Sequence, residues 1–215
     1  MSDYLDIEKW KRREHFHLFK QYDNPFFNMC AEVDISKTIT YTQAHELSFF
    51  ITLLYLSTLV TNEIENFRYR LEEDRVRIYE TIHPSSTVLN TDETFSFSYF
   101  NYQPGFRAFH TDSMQILKRF KEGHSNVNPE VDRHDLIHYS VIPWVRFTSF
   151  SHARRFDETD SIPKIVMGKY ESDGLKIMMP VSVEVHHSLM DGLHVGRYFE
   201  RLQSLLNNPE ETLEG

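Results

Sequence analysis

The order of apolar and polar residues predicts one strand, two helices and several short strands in the first half of the chain. A first helix is expected over residues 10–22, a strand over 27–35, and one long, mostly buried helix over 42–67. Four short segments with strand character follow between residues 67 and 102, and the last of them alternates apolar and polar positions. Turn signals at residues 73–75, 83–85 and 91–93 separate these segments.

The second half of the chain has longer apolar runs. A helix is predicted over residues 110–123, from a Thr-Asp cap at its start and Gly123 at its end. Strands are expected over 135–150, 163–170 and 175–187, and the last two should form a hairpin through the turn at 171–174. A final helix over 192–208 has one apolar stripe, formed by Val195, Phe199, Leu202 and Leu206.

This succession of strands and helices lacks a regular βαβ order. It therefore predicts an α/β fold in the form of a two-layer sandwich, in which a mixed, largely antiparallel sheet has helices packed on one face. No internal repeat and no linker rich in Pro, Gly or Ser interrupts the sequence. We expect residues 1–215 to form a single domain.

Composition and charge narrow the classes of function. The formal net charge of −9, without any block of Lys and Arg, argues against a nucleic acid or a membrane surface as partner. The longest apolar stretch, residues 49–60, is shorter than the roughly 20 residues of a membrane span, and the N-terminus lacks a signal sequence, so a cytoplasmic protein is expected. Cys30 is the only cysteine, which excludes an internal disulfide and a cysteine-based metal site.

Two adjacent histidines precede the final helix. In the strand before them, Val181, Val183 and Val185 share one face with His187, which therefore ends an apolar row. Partial burial would lower the pKa of this histidine and keep it neutral, and a neutral imidazole can accept a proton. A packed, hydrogen-bonded core histidine explains the position equally well, and Asp191 needs no role beyond capping the helix.

The segment HHSLMDG, residues 186–192, fits the HHxxxDG signature of CoA-dependent acyltransferases. Three further segments, WKRREHF at 10–16, SVIPWVRFTSF at 140–150 and DGLHVGRYFERLQ at 191–203, resemble those of the chloramphenicol acetyltransferase family in the same order. The resemblance covers residues 10–206 and implies the CoA-dependent acyltransferase fold. It also implies transfer of an acetyl group from acetyl-CoA to a hydroxyl of a small molecule, and a role in antibiotic resistance.

The resemblance assigns roles to four catalytic positions. His187 would be the general base that takes the proton of the acceptor hydroxyl and returns it to the departing CoA thiolate. Ser140 would donate a hydrogen bond to the oxyanion of the tetrahedral intermediate. Arg12 and Asp191 would form a buried ion pair that orders the histidine loop.

Cofactor contacts carry over in part. Lys169 and Tyr170 match a family pair along the CoA channel, with Trp144 nearby, and the lysine would face an anionic cofactor. Ser48 and Phe50 stand where the family has another lysine and a tyrosine that contact CoA, so those two contacts are not expected. No metal is implied.

The predicted acceptor pocket departs further from the family. Phe19 replaces a tyrosine that binds the acceptor and Val166 replaces a threonine, so both positions lose a hydroxyl. In the aromatic strand, Phe95, Phe97 and Tyr99 would narrow the acceptor pocket, although core packing explains the same aromatics. These departures leave open a same-fold acyltransferase with another acceptor or acyl donor, and a non-catalytic relative that binds CoA or another ligand.

The family also implies assembly. Its members are homotrimers with active sites between subunits, which would place Phe19 and the aromatic strand across an interface from His187. Among the other histidines, His134 and His138 precede or lie in a strand without the His-Glu-x-x-His pattern of a metal site. A surface or structural role is predicted for both.

Overall fold

The chain forms nine strands and six α-helices in the computed structural model, which describes residues 3–122, 133–154 and 160–214. Single 3₁₀ turns at Ile7–Lys9 and Glu65–Arg68 complete the regular structure of these residues. The helices are α1 (Arg13–Lys20), α2 (Ser36–Ala44), α3 (Phe49–Glu63), α4 (Phe106–Lys121), α5 (Gly192–Asn207) and α6 (Pro209–Leu213). The strands are β1 (Phe26–Asp34), β2 (Tyr69–Glu72), β3 (Arg75–Ile78), β4 (His83–Leu89), β5 (Phe95–Tyr99), β6 (Leu136–Ile142), β7 (Lys164–Gly168), β8 (Glu171–Asp173) and β9 (Lys176–His186).

Seven of the strands form one mixed sheet. Its order is β1-β9-β7-β6-β4-β5, and β8 pairs with β9 beside this path. The β7–β6 and β6–β4 pairs are parallel, whereas the other pairs are antiparallel, including β7–β9, the two strands predicted to form a hairpin. The turn predicted between them at 171–174 is wrong in part, because residues 171–173 form β8, which pairs with β9. β2 and β3 form a separate two-stranded sheet, which the sequence pattern did not distinguish from the main one.

One face of the large sheet carries the main core. Alternation along β9 points Val181, Val183 and Val185 at this face, where they pack with buried residues of α2, α3, α4, α5 and α6. The predicted two-layer sandwich with helices on one face is therefore confirmed. Helix α1 lies apart from this layer, because its buried Phe16 packs with the β2–β3 hairpin and Leu189 in a second, smaller cluster.

The opposite face, called here the open face, is defined by two rows of side chains that run across the strands. Register-paired residues of neighbouring strands point to the same side, so each row is read directly from the pairing. The first row contains Tyr99, Ser85, His138, Lys164, Glu184 and Asn28. The second row contains Phe97, Thr87, Ser140, Val166, Ser182 and Cys30.

The single helix predicted over residues 42–67 is wrong, because two helices meet there. Helix α2 ends at Ala44, and Glu46 adopts a left-handed conformation with φ of 54° that no α-helix continues. Ser48 then caps α3 by accepting a hydrogen bond from the backbone of Ile51 at 3.4 Å. A serine directly before an apolar run is a capping signal, and it was available in the sequence.

Three other predicted boundaries are also wrong. Helix α4 begins at Phe106 with Gly105 as its cap, so the Thr-Asp pair at 111–112 lies inside the helix, and the predicted end at Gly123 lies outside the described residues. The turn predicted at 83–85 is the start of β4, where Pro84 is tolerated near a strand end. The strand predicted over 135–150 stops at Ile142, because Pro143 has no backbone N–H to continue the ladder.

The residues that the structure describes contain neither a membrane span nor a metal cluster. No helix there is long and apolar enough to cross a bilayer. The same residues contain no group of three or more His, Cys, Asp or Glu side chains placed to hold a metal ion.

Candidate active site

His187 lies immediately after β9 and is fixed from three sides. Its backbone N–H donates to the carbonyl of Pro25 at 2.7 Å, which ties the turn to the start of β1. Its ring stacks on Phe19 with centroids 3.8 Å apart and planes within 5°, and Phe27 contacts it at 4.6 Å. The imidazole is thus held between two aromatic rings while remaining partly exposed.

The hydrogen bond of the His187 ring defines its tautomer. Nδ1 lies 3.2 Å from the carbonyl oxygen of Met190, and a carbonyl can only accept. Nδ1 therefore carries the proton, and Nε2 keeps its lone pair. This arrangement leaves the lone pair of Nε2 without a hydrogen, as the predicted role of general base requires.

Arg12 and Asp191 stabilise the turn that carries His187. The guanidinium forms a short ion pair with the carboxylate, and its Nη2 donates to the carbonyl of His187 at 3.0 Å. Asp191 also caps α5 by accepting from the backbone of Leu193 at 3.0 Å. Although partial burial acts to raise it, the charge of Arg12 holds the pKa of Asp191 below its usual value.

Replacing Arg12 with methionine tests two roles of this residue, the ion pair with Asp191 that stabilises the fold and the hydrogen bond that positions His187. We expect the free energy of unfolding to fall by about 2 kcal/mol, between the values for exposed and fully buried pairs, because a third of the Asp191 side chain is exposed. The kcat should fall at least about tenfold through misplacement of the base. Urea denaturation and steady-state kinetics measure both effects. The neighbouring Arg13→Met variant is the control, since Arg13 pairs only with exposed Glu8 and Glu14, and equal losses in both variants would contradict a positioning role.

The first histidine of the pair, His186, is buried, and its ring is held by hydrogen bonds with Ser188. It is 4 % exposed, and its Nδ1 accepts from the backbone of Ser188 at 3.3 Å and contacts the Ser188 hydroxyl at 2.7 Å. Burial, together with the charge of Arg154, lowers its pKa to about 3. His186 is therefore neutral, buried and already bonded, whereas His187 is partly exposed.

Ser140 is partly exposed in the middle of β6, on the open face. Its row reaches β9 at Ser182, five residues before His187 and two strands away. With a rise of about 3.3 Å per residue and about 4.8 Å between strands, the two predicted catalytic residues lie roughly 19 Å apart in one chain. The fold therefore does not bring Ser140 and His187 together within a single chain.

A cavity of about 370 Å³ adjoins the end of β7 and the start of α3. Lys169 and Tyr170, the two residues predicted to contact CoA, line it together with Phe50. Trp144 is 62 % exposed and follows Pro143, which lines the cavity. The turn that carries it is held near the end of β7 by a hydrogen bond of 3.0 Å from the N–H of Lys169 to the carbonyl of Val145. Lys169 also pairs with Glu171 at 2.9 Å. The cavity is apolar inside and has a lysine at its rim.

The residues predicted for the acceptor pocket fall into two places. Phe95, which is 52 % exposed, and the half-buried Phe97 lie on the open face with Ser140, whereas Val166 is fully buried there. Phe19 lies against His187 of its own chain, so its predicted place across an interface from His187 is wrong. The reason is that α1 packs beside the turn after β9, held there by the bond from Arg12.

Sequence reasoning missed three groups that hold the base. They are the carbonyls of Pro25 and Met190 and the ring of Phe27. Backbone carbonyls leave no signature in side-chain chemistry, and Phe27 enters the sequence prediction only as the first residue of a strand. The contacts become visible once the β1–β9 register is known, since it places Phe26 opposite His186.

The sequence of this chain is similar to those of known proteins along most of its length. The family model of chloramphenicol acetyltransferase matches residues 2–203. The chain is 30% identical over 211 residues to chloramphenicol acetyltransferase from Clostridium perfringens, covering 97% of this chain and 96% of that protein. It is 28% identical over 206 residues to chloramphenicol acetyltransferase 3 from Escherichia coli, covering 95% and 96% of the two chains.

Solved structures show the same fold. A chloramphenicol acetyltransferase structure superposes with a TM-score of 0.87 at 29% identity, covering 96% of this chain and 100% of that one. A dihydrolipoamide acetyltransferase from Azotobacter vinelandii superposes with a TM-score of 0.70 at 14% identity, over 93% and 88% of the two chains. The second similarity is one of fold alone.

Proposed function

Because the chain belongs to the chloramphenicol acetyltransferase family, an acyltransferase family, we propose that it transfers the acetyl group of acetyl-CoA to a hydroxyl of chloramphenicol. The observation that carries this proposal is the environment of His187, whose Nδ1–H bond to Met190 leaves Nε2 free to accept a proton. The reaction would inactivate an antibiotic by acylation, which is the basis of a resistance function.

In the proposed mechanism, Nε2 of His187 takes the proton from the acceptor hydroxyl as that oxygen attacks the thioester carbonyl. The C–O bond forms, and the carbonyl oxygen becomes an oxyanion that accepts a hydrogen bond from Ser140. The intermediate then collapses, the C–S bond breaks, and the imidazolium returns the proton to the CoA thiolate. The aromatic rings on both sides of the imidazole keep it aligned through both transfers.

Acetyl-CoA is proposed to enter through the cavity lined by Phe50, Lys169 and Tyr170. The apolar interior suits the pantetheine arm, and Lys169 at the rim suits the phosphates of CoA. Ser48 caps α3 instead of supplying a second positive charge. We therefore propose that Lys169, Tyr170 and the exposed Trp144 carry the cofactor contacts.

The separation of about 19 Å between Ser140 and His187 supports a site shared between subunits. We propose a homotrimer, with His187 and Phe19 from one protomer facing Ser140, Phe95 and Phe97 of the next. Exposed apolar side chains occur on both sides of this arrangement, namely Leu18, Tyr22, Met29 and Leu193 near His187, and Leu89 and Phe95 on the open face. Val166, which is buried on the open face of the sheet, would form the floor of the acceptor pocket.

The direct test is release of CoA thiol, followed spectrophotometrically, when the protein is mixed with acetyl-CoA and chloramphenicol. Turnover that depends on both substrates is expected. Thiol release with other hydroxylated molecules but not with chloramphenicol would show that the acceptor is a different compound. Phe19 and Val166, which lack the hydroxyls of the family, are compatible with such a change of acceptor. CoA binding without transfer to any acceptor would reject the enzymatic proposal.

Ser140→Ala should keep the fold and reduce kcat by roughly 10² to 10³, the usual loss for one oxyanion donor. The change removes one partly exposed hydroxyl from β6, so unfolding transitions should be nearly unchanged. Steady-state kinetics with both substrates measures the effect, and Ser182→Ala in the same row is not a suitable control because Ser182 bonds Asn28. Thr87→Ala, also on the open face, provides the comparison, and an equal loss in the two variants would exclude Ser140 as the donor.

A further inference from the structure

The open face carries two polar side chains beside Ser140 that the proposed reaction does not use. His138 precedes Ser140 by two residues on β6 and points to the same face, about 7 Å away. Lys164 on β7 is register-paired with His138, so the two Cα atoms are about 5 Å apart. Both side chains are partly exposed, and a ligand seated over Ser140 would reach them.

His138 presents a hydrogen-bond donor towards this space. Its Nδ1 lies 2.6 Å from the hydroxyl of Ser85. The other acceptor near this hydroxyl, the carbonyl of Ile137, is more distant, at 3.5 Å. The hydroxyl hydrogen is therefore directed at Nδ1, and the proton of the neutral ring lies on Nε2. Burial, reinforced by the charge of Lys164, lowers the pKa of His138 to about 3, so the ring stays neutral. Nε2 has no hydrogen-bond partner among the residues that the structure describes.

Lys164 is available for a ligand because the nearby carboxylates are already paired. Arg154 donates to Glu184 at 2.5 Å and to both oxygens of Asp160 at 3.1 Å. Lys164 itself donates to the carbonyl of Ala153 at 3.0 Å and makes no salt bridge within residues 3–122, 133–154 and 160–214. An ammonium has three donors, so two remain for an incoming group.

We propose that His138 and Lys164 together bind a planar group with two oxygens, such as a nitro group or a carboxylate, on the acceptor molecule. Two donors on adjacent strands match two oxygens of one group, and that group would lie about 7 Å from Ser140. This inference rests on the proposed function, and the nitrophenyl ring of chloramphenicol carries such a group. The pair would act as a specificity determinant and would replace the surface or structural role predicted for His138.

The test compares chloramphenicol with its analogue that has an unsubstituted phenyl ring. His138→Phe and Lys164→Met remove the donors, whereas His138→Gln and Lys164→Arg keep a donor at each position. For each variant, kcat/KM is measured with both acceptors, and binding of both acceptors to the CoA-saturated protein is measured by calorimetry. We expect the preference for the nitro compound to fall roughly five- to tenfold in His138→Phe and in Lys164→Met, and to be largely kept in the other two.

Each result decides between the two proposals. A preference that is unchanged in His138→Phe and Lys164→Met, or equal loss for both acceptors, would overturn the specificity role. Donor-dependent binding of chloramphenicol without any acetyl transfer in the wild-type protein would reject the proposed function and keep the binding site. If the wild-type protein bound neither acceptor, both proposals would be wrong. His138→Phe and Lys164→Met place apolar side chains at polar, partly exposed positions. Thermal unfolding therefore checks that both variants remain folded.

Discussion

Replacing His187 with alanine is expected to reduce acetyl transfer by about 10⁴-fold, the upper end of the range for a general base. The substitution removes the imidazole whose Nε2 lone pair is free, and His186 is buried and bonded to Ser188. No other proton acceptor replaces it at the same position. The effect should appear in kcat, with little change in the KM for acetyl-CoA.

Two controls make this result interpretable. Far-ultraviolet circular dichroism and calorimetric titration with CoA should be unchanged, since the hydrogen bond donated to Pro25 and the one accepted from Arg12 involve only the backbone of His187. His15→Ala, which removes an exposed imidazole from α1, should keep activity within about twofold. A His187→Ala protein that retained a tenth of the wild-type rate would exclude this residue as the base.

The ring contacts around His187 also bear on the missing hydroxyl of Phe19. A phenylalanine cannot hydrogen-bond an acceptor, but its ring stacks in parallel on the imidazole with centroids 3.8 Å apart. Together with the bond from Nδ1 to Met190, this contact limits rotation of the imidazole about its side-chain torsions. The aromatic character of position 19 therefore serves the base directly, independently of any acceptor contact.

The parts of the fold that the sequence predicted best are those with local signals. The apolar alternation before His187 and the Asp-Gly pair after it correctly gave β9 and α5, including the cap at Asp191. The predicted long helix is two helices in the structure, because Glu46 adopts a left-handed conformation. That conformation depends on packing between α2 and α3, and the spacing of apolar residues carries no information about this packing. The start of α4 was missed for a related reason, since Gly105 caps it without a side chain.

The site could be predicted only as separate pieces. The histidine motif and the serine before Pro-Trp identified His187 and Ser140, but their distance depends on the order β9-β7-β6 and on register. Nothing in the local sequence specifies that order. The same limit applies to His138 and Lys164, whose pairing across two parallel strands appears only once β6 and β7 are known to be neighbours.

Mixing two inactive variants should restore activity if the active site lies between subunits. His187→Ala protomers keep Ser140, and Ser140→Ala protomers keep His187. In a cyclic trimer, every mixed assembly, whether two-to-one or one-to-two, contains one interface at which an intact His187 faces an intact Ser140. Purified mixed trimers should therefore have about one third of the wild-type activity.

The physical reason for this large recovery is the separation within one chain. At roughly 19 Å, Ser140 and His187 of the same protomer cannot both reach one acceptor and its thioester, so in the proposed trimer each acts with a partner from another copy. If the two residues acted within one chain, a mixture would show only the mean of its parents, which is below about 1% of wild type given the losses expected for one oxyanion donor and one base.

The measurement uses co-expressed variants with two different affinity tags, purified sequentially so that only mixed assemblies remain. Sedimentation of the wild-type protein determines the stoichiometry, and three copies of the 25.7 kDa chain are expected. A two-fold dimer with shared sites would instead recover half of the activity, because one of the two sites at its single interface would be intact. Mixed assemblies with less than about 1% activity would place the whole catalytic site within one chain, and the open face would then need another explanation for its exposed aromatic residues.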